Sequence, residues 1–415
     1  MHSISTEPFI ANNRPYLPPT RPIVVICLDG SADEYIDCAM AQGRLPHIQA
    51  MTNRGYRGMV RGALPSFTNV NNASIVTGVP PVVHGVSGNY FLDPETGEEV
   101  MMNSSRFLRT ETILGKASHA GRRVAMVTAK DKLREILSHG MSGIAFSAEN
   151  ADATTQEIHG IENVLELVGR PKPPIYSPEA SLFVLQSGVA LIEQGLADLL
   201  YLSLTDYMQH KYAYDAPEVV DFYAALDDEI GRMLALGAIV GATADHGMNA
   251  KQNPDGSPNV IYLETLLNEQ FGGGIKVILP ITDPYVVHHG ALGSFAVVHL
   301  PSPDLIEPAF QYLDSLEGVT EVHRKESAAR RLELPADRIG ELVVMSARNV
   351  VLGRTEAHHD LNALEGGLRS HGGRYEEMVP MLLSEPLSFT YRAKAFGDPR
   401  NFDIFDFTIN GGAER

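Results

Sequence analysis

The chain has 415 residues, is 44% hydrophobic and carries a formal charge of -18, which excludes compositional disorder and non-specific binding to nucleic acid or anionic membrane. Its two cysteines exclude a disulfide framework and a thiolate metal cluster. No stretch approaches the roughly 18 apolar residues of a membrane span and the N-terminus has no leader pattern, so a cytoplasmic protein is expected.

Residues 1–21 are polar and proline-bearing and are expected to lie extended across the surface. Ile23–Leu28 is a continuous apolar, β-branched run of the kind buried on both faces of a parallel sheet, and it ends on Asp29 and Gly30. Ligands gather at the carboxyl ends of strands in open α/β sheets, which is where Asp29 stands. A helical stretch from Glu34 to about Arg54 follows, and then the segment on which the chain turns, PSFTNVNNASIVTG, Pro65–Gly78. Val70, Ala73, Ile75 and Val76 give it a helical pattern, placing the Thr68 hydroxyl at a helix N-terminus, where orphan amides and the dipole favour an anion. Taken alone, a capping threonine is the simpler reading. The loop VVHGVSGNYFLD then brings His84 and Asn89, and strand Val124–Thr128 has Lys130 and Lys132 just beyond its end.

Two helical patterns flank a proline-rich linker between residues 150 and 200. The strand-like run Leu199–Leu204 leads to Asp206, and His210 lies four residues on, a spacing that puts both on one face of a helical turn. An amphipathic helix over Pro217–Leu236 leads to AIVGATADHGMN, where another strand ends on Asp245 and His246. Three apolar strands ending on Asp29, Asp206 and Asp245 make coincidence the weaker account. Short strands over Ile275–Ile281 and Phe295–Leu300 and a helix over Pro303–Leu316 predict an inserted α+β cap. The cap, residues 271–340, would interrupt a catalytic α/β core made of residues 1–270 and 341–415, with GELVVMSARNVVLG returning to the core sheet. RSHGGRYEEMVP carries His371 in a glycine-bordered loop, a way to bring an imidazole close to a metal.

Asp, His and a hydroxyl without sulfur suit two zinc ions, with Mn2+ or Fe2+ as substitutes, and the nitrogen donors argue against Mg2+ or Ca2+. Such a pair supports displacement at phosphorus by an activated hydroxyl. The order LDGS, PSFTNVNNASIVTG, TDYMQH, ADHGMN, SHGG resembles the alkaline phosphatase superfamily and its nucleotide pyrophosphatase/phosphodiesterase branch. The resemblance implies an α/β core with a mainly parallel central sheet flanked by helices. It also implies that Asp29, Thr68, Asp245 and His246 hold one zinc, and Asp206, His210 and His371 the other.

The T-N-x-N-N-x-S-I-V-T-G form of the Thr68 segment and the TAKDKL stretch are most similar to the phosphonoacetate hydrolases of that superfamily. This implies cleavage of a carbon–phosphorus bond to acetate and phosphate through a phosphothreonine. By that analogy Lys130 and Lys132 hold the substrate carboxylate and Asn89 donates to a phosphonate oxygen. Lys211 and Tyr214 are alternative pocket residues. The competing reading is a phosphodiesterase or phosphomonoesterase on the same metals, with Tyr90 and Phe91 as a slot for a nucleoside base. A mutase is disfavoured because those relatives use serine, and a non-catalytic metal-binding protein ranks last because storage needs no nucleophile. The expected partner is a small-molecule phosphonate, and a homo-oligomer is compatible with the sequence. His84, His288 and His289 stay outside the ligand set because no strand-end aspartate adjoins them.

Overall fold

Eleven strands build the two larger sheets of this computed structural model, which describes residues 7–283, 290–364 and 367–412. In chain order β1 (Ile23–Cys27), β2 (Tyr56–Arg61), β3 (Val124–Thr128), β4 (Ile144–Ser147), β5 (Leu199–Ser203) and β6 (Ile239–Thr243) come first. Four follow, β7 (Lys276–Ile278), β8 (Phe295–His299), β9 (Val319–Arg324) and β10 (Leu342–Ser346), and the last is β11 (Met378–Leu383). The central sheet has seven strands in the order β2-β11-β6-β1-β5-β3-β4. From β6 to β4 all neighbours are parallel, and β11 runs antiparallel to both β6 and β2.

Register explains why the acidic strand ends converge. Thr243, Cys27 and Ser203 stand abreast, and Thr128 pairs with Ser203 on the next strand. A few residues further on, these neighbouring strands release Asp245, Asp29, Asp206 and Lys130 at one edge. The strands are apolar on both faces because both are covered. Val24 and Ile26 of β1 pack with helices α1 (Asp33–Ala41), α2 (Pro46–Arg54), α4 (Pro178–Glu193) and α6 (Pro217–Ala235). Ile23, Val25 and Cys27 pack on the other side with Ile75 and Val76 of α3 (Thr68–Thr77) and with Phe405 near the C-terminus. Between β5 and α6 lies the short helix α5 (Tyr207–Lys211).

Several expectations need correction. The helical stretch from Glu34 divides into α1 and α2, because Gly43 turns the chain at φ 69° and Pro46 starts a new helix at its first position. The N-terminal residues do not simply lie extended across the surface. Phe9–Ala11 and Arg14–Tyr16 form a hairpin whose stacked Phe9 and Tyr16 are buried in the core. Ile275–Ile281 is a strand only over β7, and Pro303–Leu316 begins as a 3-10 turn before its helix, Ile306–Asp314.

GELVVMSARNVVLG does not return to the central sheet. Its first half is β10, paired with β8 and β9 in a four-stranded antiparallel sheet of order β7-β8-β10-β9. An inner strand of a covered small sheet is as uniformly apolar as a central one, so composition did not separate them. The return is made by β11. The small sheet packs on the Thr68 segment itself, since Ala63, Leu64, Phe67 and Val70 belong to its hydrophobic cluster. Fully burying Phe67 contributes about 1.5–3 kcal/mol, so the small sheet helps to fix the residue just before Thr68.

Candidate active site

Thr68 is the first residue of α3, and Phe67, not Thr68, occupies the N-cap position. The capping reading therefore fails, and the hydroxyl is left for other use. It is partly exposed, whereas every later residue of α3 is buried. Its Oγ1 lies 3.3 Å from His246 Nε2. An acceptor for the helix start comes from Asn89, whose Oδ1 takes the Asn69 amide at 3.0 Å, leaving its own NH2 as a donor.

The structure brings together all seven residues expected to hold metal. Asp206 Oδ2 lies 2.9 Å from His210 Nε2 and 3.7 Å from His371 Nε2. Asp29 Oδ1 lies 3.4 Å from His246 Nε2, and Asp245 Oδ2 lies 3.6 Å from the same nitrogen. The rings of His246 and His371 stack at 3.5 Å, joining the two halves. Donor atoms of Asp206, His210 and His371 form one compact group and those of Asp29, Asp206 and His246 another, so Asp206 stands at their junction.

Backbone geometry places these side chains. Gly30 has φ 70°, and a Cβ there would sit 2.8 Å from the Asp206 Cβ, so glycine lets the Asp29 turn approach α5. Its amide donates to Asp245 Oδ1 at 3.1 Å. After His371, Gly372 has φ 122° and its α-carbon abuts the Phe67 ring, where a side chain would collide at 2.4 Å. Asn72, absent from the predicted site, donates from Nδ2 to Asp245 Oδ2 at 3.2 Å.

This donor set fits metal ions on three counts. Each imidazole has its Nδ1 on a backbone carbonyl, His210 on Arg369 at 2.8 Å, His246 on Gly247 at 2.9 Å and His371 on Ser66 at 2.7 Å. Carbonyls only accept, so the proton sits on Nδ1 and the Nε2 lone pair is left for a cation. Secondly, Asp29 Oδ1 is buried with no hydrogen-bond partner among the described residues. Thirdly, three buried carboxylates crowd one another. Burial first, then Asp206 and Asp245, push the Asp29 carboxyl well up. Burial and Asp206 push Asp245 up to about 7. Burial also disfavours the Asp206 charge, but His210, Lys130 and His371 outweigh it and hold that carboxyl low. The His371 imidazole is pushed down by burial and by His246 and His210, so it stays neutral and able to ligate. Cations supply the charge this hollow lacks.

Lys130 and Lys132 line a cavity of ≈ 490 Å³ with Glu149, Tyr176 and Asp283. They differ in one respect that sequence did not show: Lys132 is ion-paired with buried Asp283. Lys130 has no ion-pair partner among the described residues, and its charge stabilises the carboxylates of Asp29 and Asp206. Of the alternatives, Lys211 lies over the rings of Tyr207 and Tyr212, and Tyr214 lines a different cavity with Arg369. Phe91 cannot form a slot for a base, because it is buried edge-on against Phe107 at 5.2 Å. His84 is buried too and bonds Ser74 at 2.8 Å, while His288 and His289 lie outside the described residues.

Residues 23–374 match the family model of the type I phosphodiesterases / nucleotide pyrophosphatases, so the chain belongs to that family of metal-dependent hydrolases. With phosphonoacetate hydrolase from Sinorhizobium meliloti 1021 it shares 45% identity at a TM-score of 0.94, over 99% of this chain and 100% of that one. That enzyme has been solved with phosphonoformate and with phosphonoacetate. Murine ectonucleotide pyrophosphatase / phosphodiesterase 5 shares the fold at a TM-score of 0.64 and 16% identity, over 95% of this chain and 96% of that one. An uncharacterized pyrophosphatase/phosphodiesterase of Schizosaccharomyces pombe is 23% identical over 58% of this chain and 43% of its own. The chain spans less than half the length of the curated relatives it matches. Among the described residues no helix is long and apolar enough to cross a membrane.

Proposed function

We propose that the chain hydrolyses the carbon–phosphorus bond of phosphonoacetate to acetate and phosphate, with Thr68 as nucleophile and two divalent ions, zinc by preference. Asp29, Thr68, Asp245 and His246 would hold one ion, and Asp206, His210 and His371 the other. When bound, the ions supply Lewis acidity that lowers the hydroxyl pKa and offsets the phosphonate charge. The observation that carries the reading is Lys130, which lines the cavity and whose charge reaches Asp29 and Asp206 of the donor hollow. A substrate with phosphonate at one end and carboxylate at the other has a partner for each. The bound complexes of the Sinorhizobium enzyme support the same substrate.

Thr68 Oγ1 gives up its proton to solvent and attacks phosphorus as the phosphorus–carbon bond breaks, and the electron pair leaves with carbon. A carbanion is a poor leaving group unless its charge moves into the carboxylate as an enediolate. The Lys130 ammonium, with Lys132 beside it, gains attraction as that charge develops, so it stabilises the transition state more than the ground state. The carbon then takes a proton from solvent, giving acetate. Water hydrolyses the phosphothreonine and restores Thr68. The free NH2 of Asn89 serves as a donor to a phosphonate oxygen, since its Oδ1 is occupied by the helix amide. With Phe91 packed away, the cavity has less to offer a nucleoside base.

Acid quenching during turnover followed by peptide mass spectrometry tests the covalent step. The expected result is a phosphoryl group on the Thr68 peptide, absent in Thr68→Ala. Turnover with no phosphopeptide at any quench time would refute the nucleophile.

A further inference from the structure

Beside the loops that carry His246 and His371 lies an ion pair that the reaction above does not use. Lys251 and Glu376 are both fully buried, and Nζ lies 2.8 Å from Oε1. The ammonium also donates to Ser294 Oγ at 2.7 Å and to the Arg348 carbonyl at 2.7 Å, which uses all three of its hydrogens. Glu376 Oε1 accepts Asn249 Nδ2 at 2.6 Å, and Oε2 accepts the Gly373 amide at 3.1 Å. A buried pair of this kind is a weak source of net stability compared with apolar residues of the same size. Its value lies in what it holds.

Glu376 grips both ligand loops. Its side chain takes the amide of Gly373, two residues after His371, and its carbonyl takes the amide of Gly247, next to His246, at 2.8 Å. The Gly373 carbonyl receives Ser66 Oγ at 3.0 Å, and the Ser66 carbonyl receives His371 Nδ1 at 2.7 Å. Lys251 acts on the same histidine through Ser294, which it binds and which donates its amide to the His371 carbonyl at 2.9 Å. One buried pair thus braces a proposed ligand of each ion, and the two rings it braces are the ones that stack.

We propose that Lys251 and Glu376 are positioning residues for metal binding: they fix His246 and His371 relative to each other and so set the affinity for both ions. This rests on the metal reading given above. The test is zinc affinity, measured on metal-stripped protein by competition with a chromophoric chelator, together with the visible spectrum of the cobalt(II)-loaded protein. Wild type, Lys251→Met, Glu376→Gln and the double variant are compared. The double variant leaves no charge at this pair, so it is expected to fold even if Lys251→Met does not. Expected are roughly 10–100-fold weaker zinc binding and an altered cobalt spectrum with native circular dichroism, as for other partners that orient metal ligands. Zinc affinity within twofold of wild type and an unchanged cobalt spectrum, with only the melting temperature lowered, would overturn the inference. Failure of the wild type itself to bind zinc would overturn the metal reading, and the two failures are told apart by that control.

Discussion

Replacing Asn72 by alanine is expected to damage stability and turnover together. Asn72 sits one turn into α3 from Thr68 and is fully buried. Nδ2 donates to Asp245 Oδ2 at 3.2 Å and to the Thr68 carbonyl at 3.1 Å. Oδ1 accepts the Tyr201 hydroxyl at 2.7 Å and the Ser203 hydroxyl at 2.9 Å, both from β5. Asn72→Ala deprives two buried hydroxyls of this acceptor and takes a donor from a carboxylate that burial already disfavours. Each such loss costs about 1–3 kcal/mol, softened where a water enters the polar hole. The three losses sum to about 3–9 kcal/mol, less where water enters, a large share of the roughly 5–15 kcal/mol of a typical fold. Because Asn72 orients a proposed ligand, kcat should fall roughly 10–100-fold as well. Urea unfolding and steady-state phosphate release on metal-loaded protein measure both, with the exposed Asn53→Ala as a control expected within about 0.5 kcal/mol of wild type. A variant within about 0.5 kcal/mol and twofold of wild-type kcat would refute the reasoning.

Thr68→Ala should abolish turnover while zinc still binds, and full activity in a zinc-replete assay would rule out the nucleophile. The two lysines should separate: Lys132→Ala leaves buried Asp283 without its ammonium and should cost about 1–3 kcal/mol in urea unfolding, whereas Lys130→Ala should cost less stability and lower kcat, since its charge acts mainly in the transition state. Equal stability of the two variants would contradict this. Buried His84 accepts the Val86 amide at Nδ1 and is lowered by burial, then by Arg338, from 6.5 to about 3. In the unfolded chain it protonates below about 6.5 and in the folded chain only near 3, so its contribution leaves stability intact above pH 6.5 and removes it as pH falls. By pH 4 the loss is about 3 kcal/mol, and metal-free His84→Gln should show a correspondingly flatter acid slope in urea midpoints. Parallel slopes would contradict that account.

The site was legible where one local pattern carried it. Apolar runs that stop on Asp29, Asp206 and Asp245 state both the strand and the edge, and parallel register in β6, β1 and β5 does the rest. His371 was legible because glycines allow the tight approach to Phe67. What escaped depends on contacts distant in sequence. Asn72 stood in the T-N-x-N-N-x-S stretch with no role of its own, since its partners Tyr201, Ser203 and Asp245 lie more than a hundred residues away. Asp283 has no pattern of its own, and its pairing with Lys132 joins residues 151 apart in the chain. Lys251 reads as a surface lysine until Ser294, Arg348 and Glu376 surround it. Phe91 looked available as an aromatic platform because sequence does not say which face of a short strand is buried.

The measurement that bears most directly on the central claim is phosphate release by zinc-loaded protein from phosphonoacetate and, side by side, from a p-nitrophenyl phosphodiester. Wild type is compared with the Lys130→Ala/Lys132→Ala double variant. The account predicts rapid release from phosphonoacetate that is lost in the double variant, with the diester a poor substrate for both. Strong preference for the diester, indifferent to the lysines, would leave the metal site standing and contradict carbon–phosphorus cleavage.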